Sequence, residues 1–401
     1  MTPPPTVLAF SGGLDTSFCV PWLKERGHEV VTVHVDTGGL AEGETRAIRD
    51  RAIELGAVDH ITVDAGPALW DTFCIPFIQG GERYQQRYPL LCSDRYVIVE
   101  EIVEIANRLD AGAVAHGCTA MGNDQFRFDQ SLRSLCDLPI LTPIRAIQSE
   151  AETIRPYEMA YLEERGFGVP EHYRRYTINE NLLGTTISGS EIDEFARPGE
   201  DTFRMCRPRA AWPESPLKSA IEFRGGVPHA LDGEVLPGPE MLGRLNEAYG
   251  AYGVGRGIYT GNTIVGLKGR IVFECPGLEA LLVAHRGLEE LTLTKAQASF
   301  KQDVARQWTE LVFGGFFHEP LRRDLEAFLA SSQRNVDGVV TLETHGGTCE
   351  CVAIETDRAL VSDDAVYAQK AEWSAEDAAG FIKLNALRLR VLGKRDRRGD
   401  D

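Results

Sequence analysis

The first 120 residues alternate between strand-like and helix-like runs, and this alternation constrains the fold more than any other feature. The strand-like runs are "TVLAF", "HEVVTVHVDTG", "HITVDAG" and "AVAHGCT". The runs between them that indicate helices are "FCVPWLKERG", "AEGETRAIRDRAIELGA" and "RYVIVEEIVEIANRLDAG". Strands that alternate with helices of this length predict βαβ units and a parallel sheet. We therefore predict an α/β fold whose ligands lie beyond the carboxyl ends of the strands.

The pattern changes near residue 170, where the chain becomes rich in Gly, Thr and β-branched residues. This composition, in "YTINENLLGTTISGSEIDEF" and "GIYTGNTIVGLKGRIVFECPG", indicates an α+β region. A long helical stretch follows, and "GVVTLETHGGTCECVAIET" then returns to strands, with a hairpin turn at Gly346-Gly347. We predict one domain at 1–168, a second at 169–362, and a C-terminal helix and tail at 363–401.

Composition limits the classes of protein to which this chain can belong. With 401 residues, 43% of them hydrophobic, the chain is too long for one small core, and two domains are expected. The sequence contains no run of about 18 apolar residues that would span a membrane. The start, "MTPPPTVLAF", lacks the basic and apolar regions of a signal peptide, so a cytoplasmic protein is expected. The net charge of −18 disfavours nucleic acid and anionic membranes as partners.

Nine cysteines at irregular spacing do not form the pattern of a disulfide framework. Cys349 and Cys351 are the closest pair, and no second pair or histidine cluster accompanies them. Two cysteines at this spacing on a strand point to one face of a sheet. We therefore predict no metal site in the protein itself.

The C-terminal end predicts one further element and a solvated tail. A helix is expected near "SAEDAAGFIKLNALRLR", and a terminal helix outside the domain pattern often docks on another subunit. The basic cluster of the chain, "LRLRVLGKRDRRGDD", is interrupted by acidic residues and is expected to be a solvated end.

The segment "AFSGGLDTS" ends the first strand and has the features of a phosphate-binding turn. Gly12 and Gly13 allow a tight turn that brings backbone N–H groups against a ligand. The hydroxyl groups of Ser11, Thr16 and Ser17 add donors, and the following helix contributes its N-terminal N–H groups and the positive end of its dipole. Asp15 could cap that helix or orient a phosphate that carries Mg²⁺.

This turn differs from the two common nucleotide-binding motifs. It lacks the lysine of G-x-x-x-x-G-K-[ST], and it does not contain G-x-G-x-x-G. A small cup of hydroxyl and N–H donors without lysine suits pyrophosphate as a leaving group, which predicts cleavage of ATP to AMP. An ordinary glycine-rich turn between strand and helix is the alternative interpretation.

A second polar group, "AHGCTAMGNDQFRFD", follows the fourth strand of the predicted sheet. Gly117 permits close backbone approach, and Thr119 and Asn123 are neutral donors. Asp124 can bind an ammonium group, and Arg127 can bind a carboxylate through two hydrogen bonds. Together these side chains suit an amino acid; ordinary capping of a helix by Asn or Asp is the alternative.

At this point the chain resembles a known family, the argininosuccinate synthases. The resemblance lies in "AFSGGLDTS", "HGCTAMGNDQFRFD", "YTINENLLGTTISG", "VGLKGRIVFECPG" and "AGFIKLNALRLR", which occur in the order typical of that family. The resemblance implies an N-type ATP pyrophosphatase domain of the adenine nucleotide alpha hydrolase type, a synthetase domain, and a homotetramer with a C-terminal arm. It also implies a reaction in which citrulline attacks the α-phosphate of Mg·ATP, pyrophosphate leaves, and aspartate displaces AMP from citrullyl-adenylate.

The resemblance also implies roles for individual residues. The residues that match the ATP site are Ala9, Phe10, Ser11, Gly12, Gly13, Leu14, Asp15, Thr16, Ser17, Val35 and Gly117. The residues that match the aspartate site are Thr119, Asn123 and Asp124. The residues that match the citrulline site are Tyr88, Ser93, Asn123, Arg127, Thr177 and Thr186, of which the last two are usually serine in the family. The catalytic residues implied are Asp15, Asp124 and Arg127.

The chain departs from the family pattern at two positions of the implied citrulline site. Gly261 and Phe273 stand where the family has a glutamate and a tyrosine. Glu191 and Tyr259 are candidates to replace them by proximity in sequence. Loss of a carboxylate that would face an α-ammonium group raises an alternative substrate, a citrulline acylated on its α-nitrogen or another ureido compound. A further departure is Asp94-Arg95-Tyr96, where the family has an Arg-Pro pair nearby.

Two other classes of protein remain alternatives. One is another pyrophosphatase-type enzyme that amidates its substrate or modifies tRNA; the charge of −18 and the lack of C-x-x-C disfavour the tRNA-acting kind, and no glutaminase domain is visible. The other is a nucleotide-sensing protein that kept the fold without the activity. Decay of "SGGLDTS" or "GNDQ" would indicate the second class, and both motifs are intact.

Overall fold

The computed structural model describes residues 3–39, 43–148, 153–169, 176–362, 364–367, 369 and 371–397. The chain divides into two compact units, Met1–Arg358 and Ala359–Asp401. The predicted division at residue 168 stays a prediction. In the described part of the chain, no helix is long and apolar enough to cross a membrane.

A parallel five-stranded sheet forms the N-terminal part of the larger unit. Its strands are β1 (Thr6–Ala9), β2 (Val30–Asp36), β3 (Asp59–Asp64), β4 (Ala113–Ala115) and β5 (Ile140–Leu141). The strand order is β3-β2-β1-β4-β5. The chain therefore proceeds in one direction from β1 to β3 and then returns to the other side of β1. Such a reversal opens a crevice at the carboxyl ends of β1 and β4, where ligands bind in open α/β sheets.

Helices cover this sheet, as the alternating pattern predicts. They are α1 (Leu14–Lys24), α2 (Glu44–Glu54), α3 (Gly66–Leu69), α4 (Ile75–Gly80), α5 (Asp94–Arg108), α6 (Asp124–Leu135), α7 (Pro143–Ile147) and α8 (Ile154–Glu164). A π-helical turn, Trp70–Cys74, joins α3 to α4. The prediction of an α/β fold is confirmed. The alternating pattern predicts α1, α2 and α5. It does not predict α3 and α4, since Pro67 and Pro76 interrupt the helical pattern there, and it makes no prediction for α7 and α8.

Two antiparallel sheets follow, which confirms the predicted change to α+β structure. One has the order β10-β9-β8-β13-β14 and the other β11-β12-β7-β6. The strands are β6 (Thr177–Asn181), β7 (Gly184–Ser188), β8 (Leu217–Arg224), β9 (Val227–Leu231), β10 (Glu234–Val235), β11 (Arg256–Asn262), β12 (Lys268–Glu274), β13 (Gly338–Thr344) and β14 (Glu350–Glu355). The predicted turn at Gly346-Gly347 joins β13 to β14, and both glycines have positive φ angles.

Four further helices belong to this part of the chain: α9 (Gly238–Gly250), α10 (Pro276–Thr292), α11 (Lys295–Gly314) and α12 (Pro320–Ser332). Helices α9 and α10 pack against the sheet that contains β8, β9, β13 and β14, whereas α11 and α12 pack against each other and against α4. Short 3-10 turns lie at Ser190–Ile192, Glu200–Thr202, Arg209–Ala211 and Gln333–Asn335. Trp308 of α11 is fully buried against Phe73 and Phe77, whose rings lie 5.5 and 6.2 Å from its own. The Tyr96 hydroxyl of α5 donates to the Val312 carbonyl of α11. These contacts fix α11 beside the parallel sheet, so that its carbonyl groups can reach the crevice.

The smaller unit contains α13 (Ala375–Asn385) and α14 (Leu387–Asp396). Ser374 caps α13 through a capping box with Asp377. The predicted terminal helix is thus present as two segments, and the basic tail is helical up to Asp396; residues 398–401 of that tail lie outside the described residues. Large apolar side chains are exposed on these helices: Phe381, Ile382, Leu384, Leu387, Leu389 and Val391.

Candidate active site

The segment after β1 forms a closed turn held by its own hydroxyl groups. The Ser11 hydroxyl accepts a hydrogen bond from the Gly13 N–H at 3.2 Å and lies 3.2 Å from the Thr16 hydroxyl. Thr16 donates to the Gly13 carbonyl, and Ser17 donates to the Gly12 carbonyl. These bonds fix the curvature of the turn at the edge of the crevice.

Two features of this turn make it fit a phosphate. Gly12 has a φ angle of +76°, which favours glycine, and Gly13 is the N-cap residue of α1 without a side-chain cap. The first-turn N–H groups of α1 are therefore available to an anion. Asp15 lies in this first turn and does not cap the helix, so one of the two roles considered for it is excluded.

The turn after β4 approaches the first turn closely. A side chain at Gly117 would lie 3.1 Å from the Thr16 methyl group and 3.3 Å from the backbone of Asp15. Glycine at 117 therefore allows the two turns to share one crevice. Of the other residues predicted for ATP, Ala9, Phe10 and Leu14 are buried around β1, and Val35 is buried at the end of β2.

A buried histidine fixes the turn after β4. The Nδ1 atom of His116 accepts a hydrogen bond from the Cys118 N–H, so its Nε2 atom carries the hydrogen and donates to Asp129 at 2.9 Å. Arg145 donates to both carboxylate oxygens of Asp129, at 2.8 and 2.9 Å. Burial lowers the pKa of His116, which keeps the ring neutral. No local motif predicts this chain of contacts, because His116, Asp129 and Arg145 lie on separate elements.

We predict that D129N lowers the free energy of unfolding by about 2 kcal/mol at pH 7, the size of a lost charge-assisted hydrogen bond. Partial burial raises the pKa of Asp129, but hydrogen bonds from His116 and Arg145 outweigh burial and hold it well below its ordinary value. A lowered pKa stabilises the fold above pH about 4, and this contribution is lost as the pH falls further. Chemical unfolding of both proteins at pH 7 and at low pH measures the difference, which should shrink in acid.

The control for this prediction is D137N, because Asp137 is exposed just beyond α6. Its free energy of unfolding should change by less than about 0.5 kcal/mol. An equal loss in both variants, or a difference for D129N that does not shrink in acid, would contradict the prediction.

A carboxylate between two arginines lies at the N-terminus of α6. Asp124 accepts hydrogen bonds from Arg95, at 3.1 and 3.2 Å, and from Arg127 at 2.8 Å. Arg95 also pairs with Asp94 at 2.6 Å, and Arg127 donates to the Phe313 carbonyl at 3.0 Å. Burial raises the pKa of Asp124, but the charges of both arginines outweigh it and lower the pKa. Asp124 is therefore an anion at neutral pH.

The cluster formed by Asp124, Arg95 and Arg127 has polar atoms that can still bind a ligand. The Asp124 side chain is 35% exposed, whereas the Arg127 side chain is 3% exposed. The Nε atom of Arg127 is buried and has no hydrogen-bond partner among the residues that the structure describes. An exposed carboxylate beside an unsatisfied guanidinium donor can bind an ammonium group and an acceptor together.

Asn123 is the N-cap residue of α6 and makes no capping hydrogen bond. Its Oδ1 atom instead accepts from the Ile264 N–H at 3.0 Å, in the hairpin between β11 and β12. The capping interpretation of this motif is therefore wrong for Asn123. Thr119 accepts from the Met121 N–H at 3.3 Å and is partly exposed beside these residues.

The structure brings some of the predicted citrulline residues together. The Tyr88 hydroxyl lies within hydrogen-bond reach of Thr186, and Arg127 is close enough to lower the pKa of that phenol, although burial dominates and raises it. Ser93 is buried and donates to the Leu90 carbonyl. Thr177 is exposed on the edge strand β6 and accepts from Arg155.

One of the two departures from the family pattern, Gly261, has a local explanation in Tyr259. A side chain at Gly261 would lie 2.3 Å from the ring of Tyr259, so this phenol occupies the adjacent space. Tyr259 lies 5.6 Å from the Tyr88 ring and donates to Gln85 at 2.9 Å. Phe273 makes an edge contact with Tyr88. The other candidate, Glu191, accepts hydrogen bonds from Tyr176 and Thr202.

No role was predicted for Arg95, Arg155 or Glu158, although all three surround the crevice. Arg95 was noted only as a departure from the family pattern. Arg155 and Glu158 lie on α8, and both interact with Asp15 in the turn after β1. No local motif marks them, because their partners are distant in sequence.

A parallel sheet with a hydroxyl-rich turn after β1, followed by two antiparallel sheets, has the architecture of an α/β nucleotide-binding enzyme with an added α+β part. Residues 5–168 match the model "Arginosuccinate synthase N-terminal HUP domain", and residues 176–392 match "Arginosuccinate synthase C-terminal domain". The chain belongs to the argininosuccinate synthase family, whose members ligate citrulline and aspartate with ATP in arginine biosynthesis.

Curated relatives support this assignment over nearly the whole chain. The argininosuccinate synthase of Xylella fastidiosa is 56% identical over 378 residues, which cover 94% of each chain. That of Methanothermobacter thermautotrophicus is 38% identical over 97% of this chain and 96% of its own. That of Bacillus pumilus is 37% identical over 96% and 95%. The predicted family is confirmed, and the tRNA-acting, amidating and nucleotide-sensing alternatives are not supported.

Proposed function

We propose that this protein catalyses the ligation of citrulline and aspartate to argininosuccinate, with cleavage of ATP to AMP and pyrophosphate. The observation that carries the proposal is the position of two polar groups at one crevice. The Ser11–Ser17 turn follows β1, and the Asp124 cluster follows the neighbouring strand β4. One group suits phosphates, and the other suits an amino acid.

The first step is transfer of the adenylyl group. The ureido oxygen of citrulline attacks the α-phosphorus of Mg·ATP, the bond to the bridging oxygen breaks, and pyrophosphate leaves. The turn from Ala9 to Ser17 would hold the phosphates through N–H and hydroxyl donors, with Val35 and Gly117 near the nucleotide. Mg²⁺ enters with ATP as part of the substrate, and we assign it no protein ligand. Positioning and stabilisation of charge account for the catalysis at this centre.

The second step joins the amino acid. The amine of aspartate attacks the ureido carbon of citrullyl-adenylate, AMP leaves, and the amine loses its proton to solvent. We assign Thr119, Asn123 and Asp124 to aspartate. Because the pKa of Asp124 is lowered, this carboxylate is suited to orient an ammonium group and is a poor general base.

Citrulline would lie between the two halves of the crevice. We assign Tyr88, Ser93, Asn123, Arg127, Thr177 and Thr186 to this substrate. The unsatisfied Nε atom of Arg127 supports a contact with a substrate acceptor. Tyr259 supplies a phenol near the positions where Gly261 and Phe273 depart from the family pattern.

We also propose that the protein is a homotetramer in the cytoplasm. The exposed apolar side chains of α13 and α14 support a homotetramer joined through this C-terminal segment, because such side chains on a helix need a partner. All nine cysteines are free, which supports a reducing compartment such as the cytoplasm.

We predict that pyrophosphate is released from ATP in the presence of aspartate and citrulline, and not when α-N-acetylcitrulline or no ureido compound replaces citrulline. Coupled detection of pyrophosphate measures all three reactions under the same conditions. Release with only the acylated compound would overturn the assignment of citrulline and make Gly261 and Phe273 specificity determinants. Absence of release with either compound would contradict the proposed function.

A further inference from the structure

Glu158 is a buried carboxyl group that the reaction scheme above does not use. It lies on α8, which packs against α1, and its exposed fraction is 0%. Neither of its oxygens accepts a hydrogen bond from an N–H or hydroxyl group of the described residues. Its carboxyl group does lie within hydrogen-bond reach of the carboxyl group of Asp15, in the first turn of α1.

Two carboxyl groups in hydrogen-bond contact need a proton between them, because two carboxylates repel and neither can donate. The other groups that face Glu158 do not neutralise both carboxyl groups, so a proton between them is still required. From α1 they are Asp15 and Cys19, whose thiol has a pKa raised by burial and stays neutral. From its own helix the group is Arg155, which also donates to the Thr177 hydroxyl and supplies one positive charge against two carboxyl groups.

We propose that Glu158 carries the proton of this pair, donates it to Asp15, and so acts as a positioning residue for the phosphate-binding turn. This inference rests on the proposed function, in which that turn holds the phosphates of ATP. Glu158 does not touch the substrate; it acts through Asp15, whose carboxylate it fixes at the start of α1.

The consequence is a limit on negative charge beside the phosphates. While the proton is present, the pair carries one negative charge, and Asp15 is held toward α8. Burial raises the pKa of Glu158 to about 9, with the charge of Asp15 as the second cause, and burial also raises the pKa of Asp15. Above about pH 9 the pair loses its proton. A second negative charge then lies next to an anionic substrate, which weakens ATP binding.

The first test compares E158Q and E158L with the unaltered enzyme in kcat/KM for ATP across pH. In the unaltered enzyme, kcat/KM for ATP should decline near pH 9, where the pair loses its proton. Glutamine keeps a donor for Asp15 and cannot ionise, so kcat/KM for E158Q should stay within about threefold of the unaltered value at neutral pH and should not decline near pH 9. Leucine keeps the volume without a donor, so E158L should lose about tenfold at neutral pH, the size of one hydrogen bond. A decline in E158Q equal to that of the unaltered enzyme would overturn the proposal.

The second test needs no substrate and therefore separates this inference from the proposed function. Because the folded state keeps a proton that the unfolded chain loses above pH about 4.3, the unfolding equilibrium constant should rise about tenfold per pH unit up to about pH 9, relative to E158Q. Infrared spectra should also show a protonated carboxyl band that E158Q lacks. Equal pH dependence in the two proteins would refute the shared proton, whereas absence of pyrophosphate release alone would refute only the proposed function.

Discussion

R127K is expected to lower kcat/KM for citrulline by about 100-fold while the protein stays folded. Arg127 donates to Asp124 at 2.8 Å and to the Phe313 carbonyl at 3.0 Å from two different nitrogens. A lysine ammonium is a single point and cannot reproduce this fork. Each charge-assisted hydrogen bond contributes about 1.5–3 kcal/mol, which corresponds to about 10- to 150-fold in kcat/KM. Steady-state kinetics with citrulline varied at saturating ATP and aspartate measure the effect.

The matched control is R133K, the same substitution on the same helix. Arg133 is exposed on α6, so its replacement should leave kcat/KM for citrulline within about twofold of the unaltered enzyme. If R127K behaves like R133K, the assignment of Arg127 to the citrulline site is wrong. Thermal unfolding of both variants separates a loss of binding from a loss of fold.

G12A is expected to lower kcat/KM for ATP by about 100-fold. Gly12 has a φ angle of +76°, and a methyl group there would lie 3.1 Å from Ile48. The left-handed conformation alone costs an alanine about 1–2 kcal/mol, and we expect a shift of the turn to relieve this strain, with the Ile48 side chain also displaced by a few tenths of an ångström. Movement of the turn displaces the Gly13 N–H and the hydroxyl groups that would hold the phosphates. Kinetics with ATP varied measure this loss.

G27A serves as the control for strain alone. Gly27 follows the other end of α1 with a φ angle of +86°, and a methyl group there would meet nothing within 4 Å. Both variants should lose about 1–2 kcal/mol of unfolding free energy from backbone strain. Only G12A should lose activity with ATP, and an equal loss in G27A would contradict the role assigned to the turn.

Local patterns predicted the parts of the fold that depend on local interactions. Strands β1 to β4 and helices α1, α2 and α5 were predicted because buried strands and amphipathic helices differ in the spacing of apolar residues. The turn after β1 was found because its glycines and hydroxyl groups are contiguous. The helices between Gly66 and Gly80 were missed because two prolines and a π-helical turn break the period there.

The electrostatic environment of the site could not be predicted in this way. Whether a carboxyl group is ionised depends on neighbours that the fold brings from elsewhere. Arg95 lies on α5 and meets Asp124 on α6, and Glu158 on α8 meets Asp15 on α1. In the sequence "IRPYEMAYLEE", Glu158 is one acidic residue among several on a helix, and nothing marks it as buried.

The central position of β1 has a consequence for the order in which the protein is made. β1 gains its partner β2 within the first 36 residues, whereas its other partner, β4, is synthesised only at residues 113–115. Because synthesis proceeds at about 5–20 residues per second, several seconds pass between the completion of β2 and that of β4, and one edge of β1 has no partner strand during this time. Since α8 follows later still, Glu158 can reach Asp15 only after the helix that ends at residue 164 has emerged, so this contact would report completion of the N-terminal half during translation.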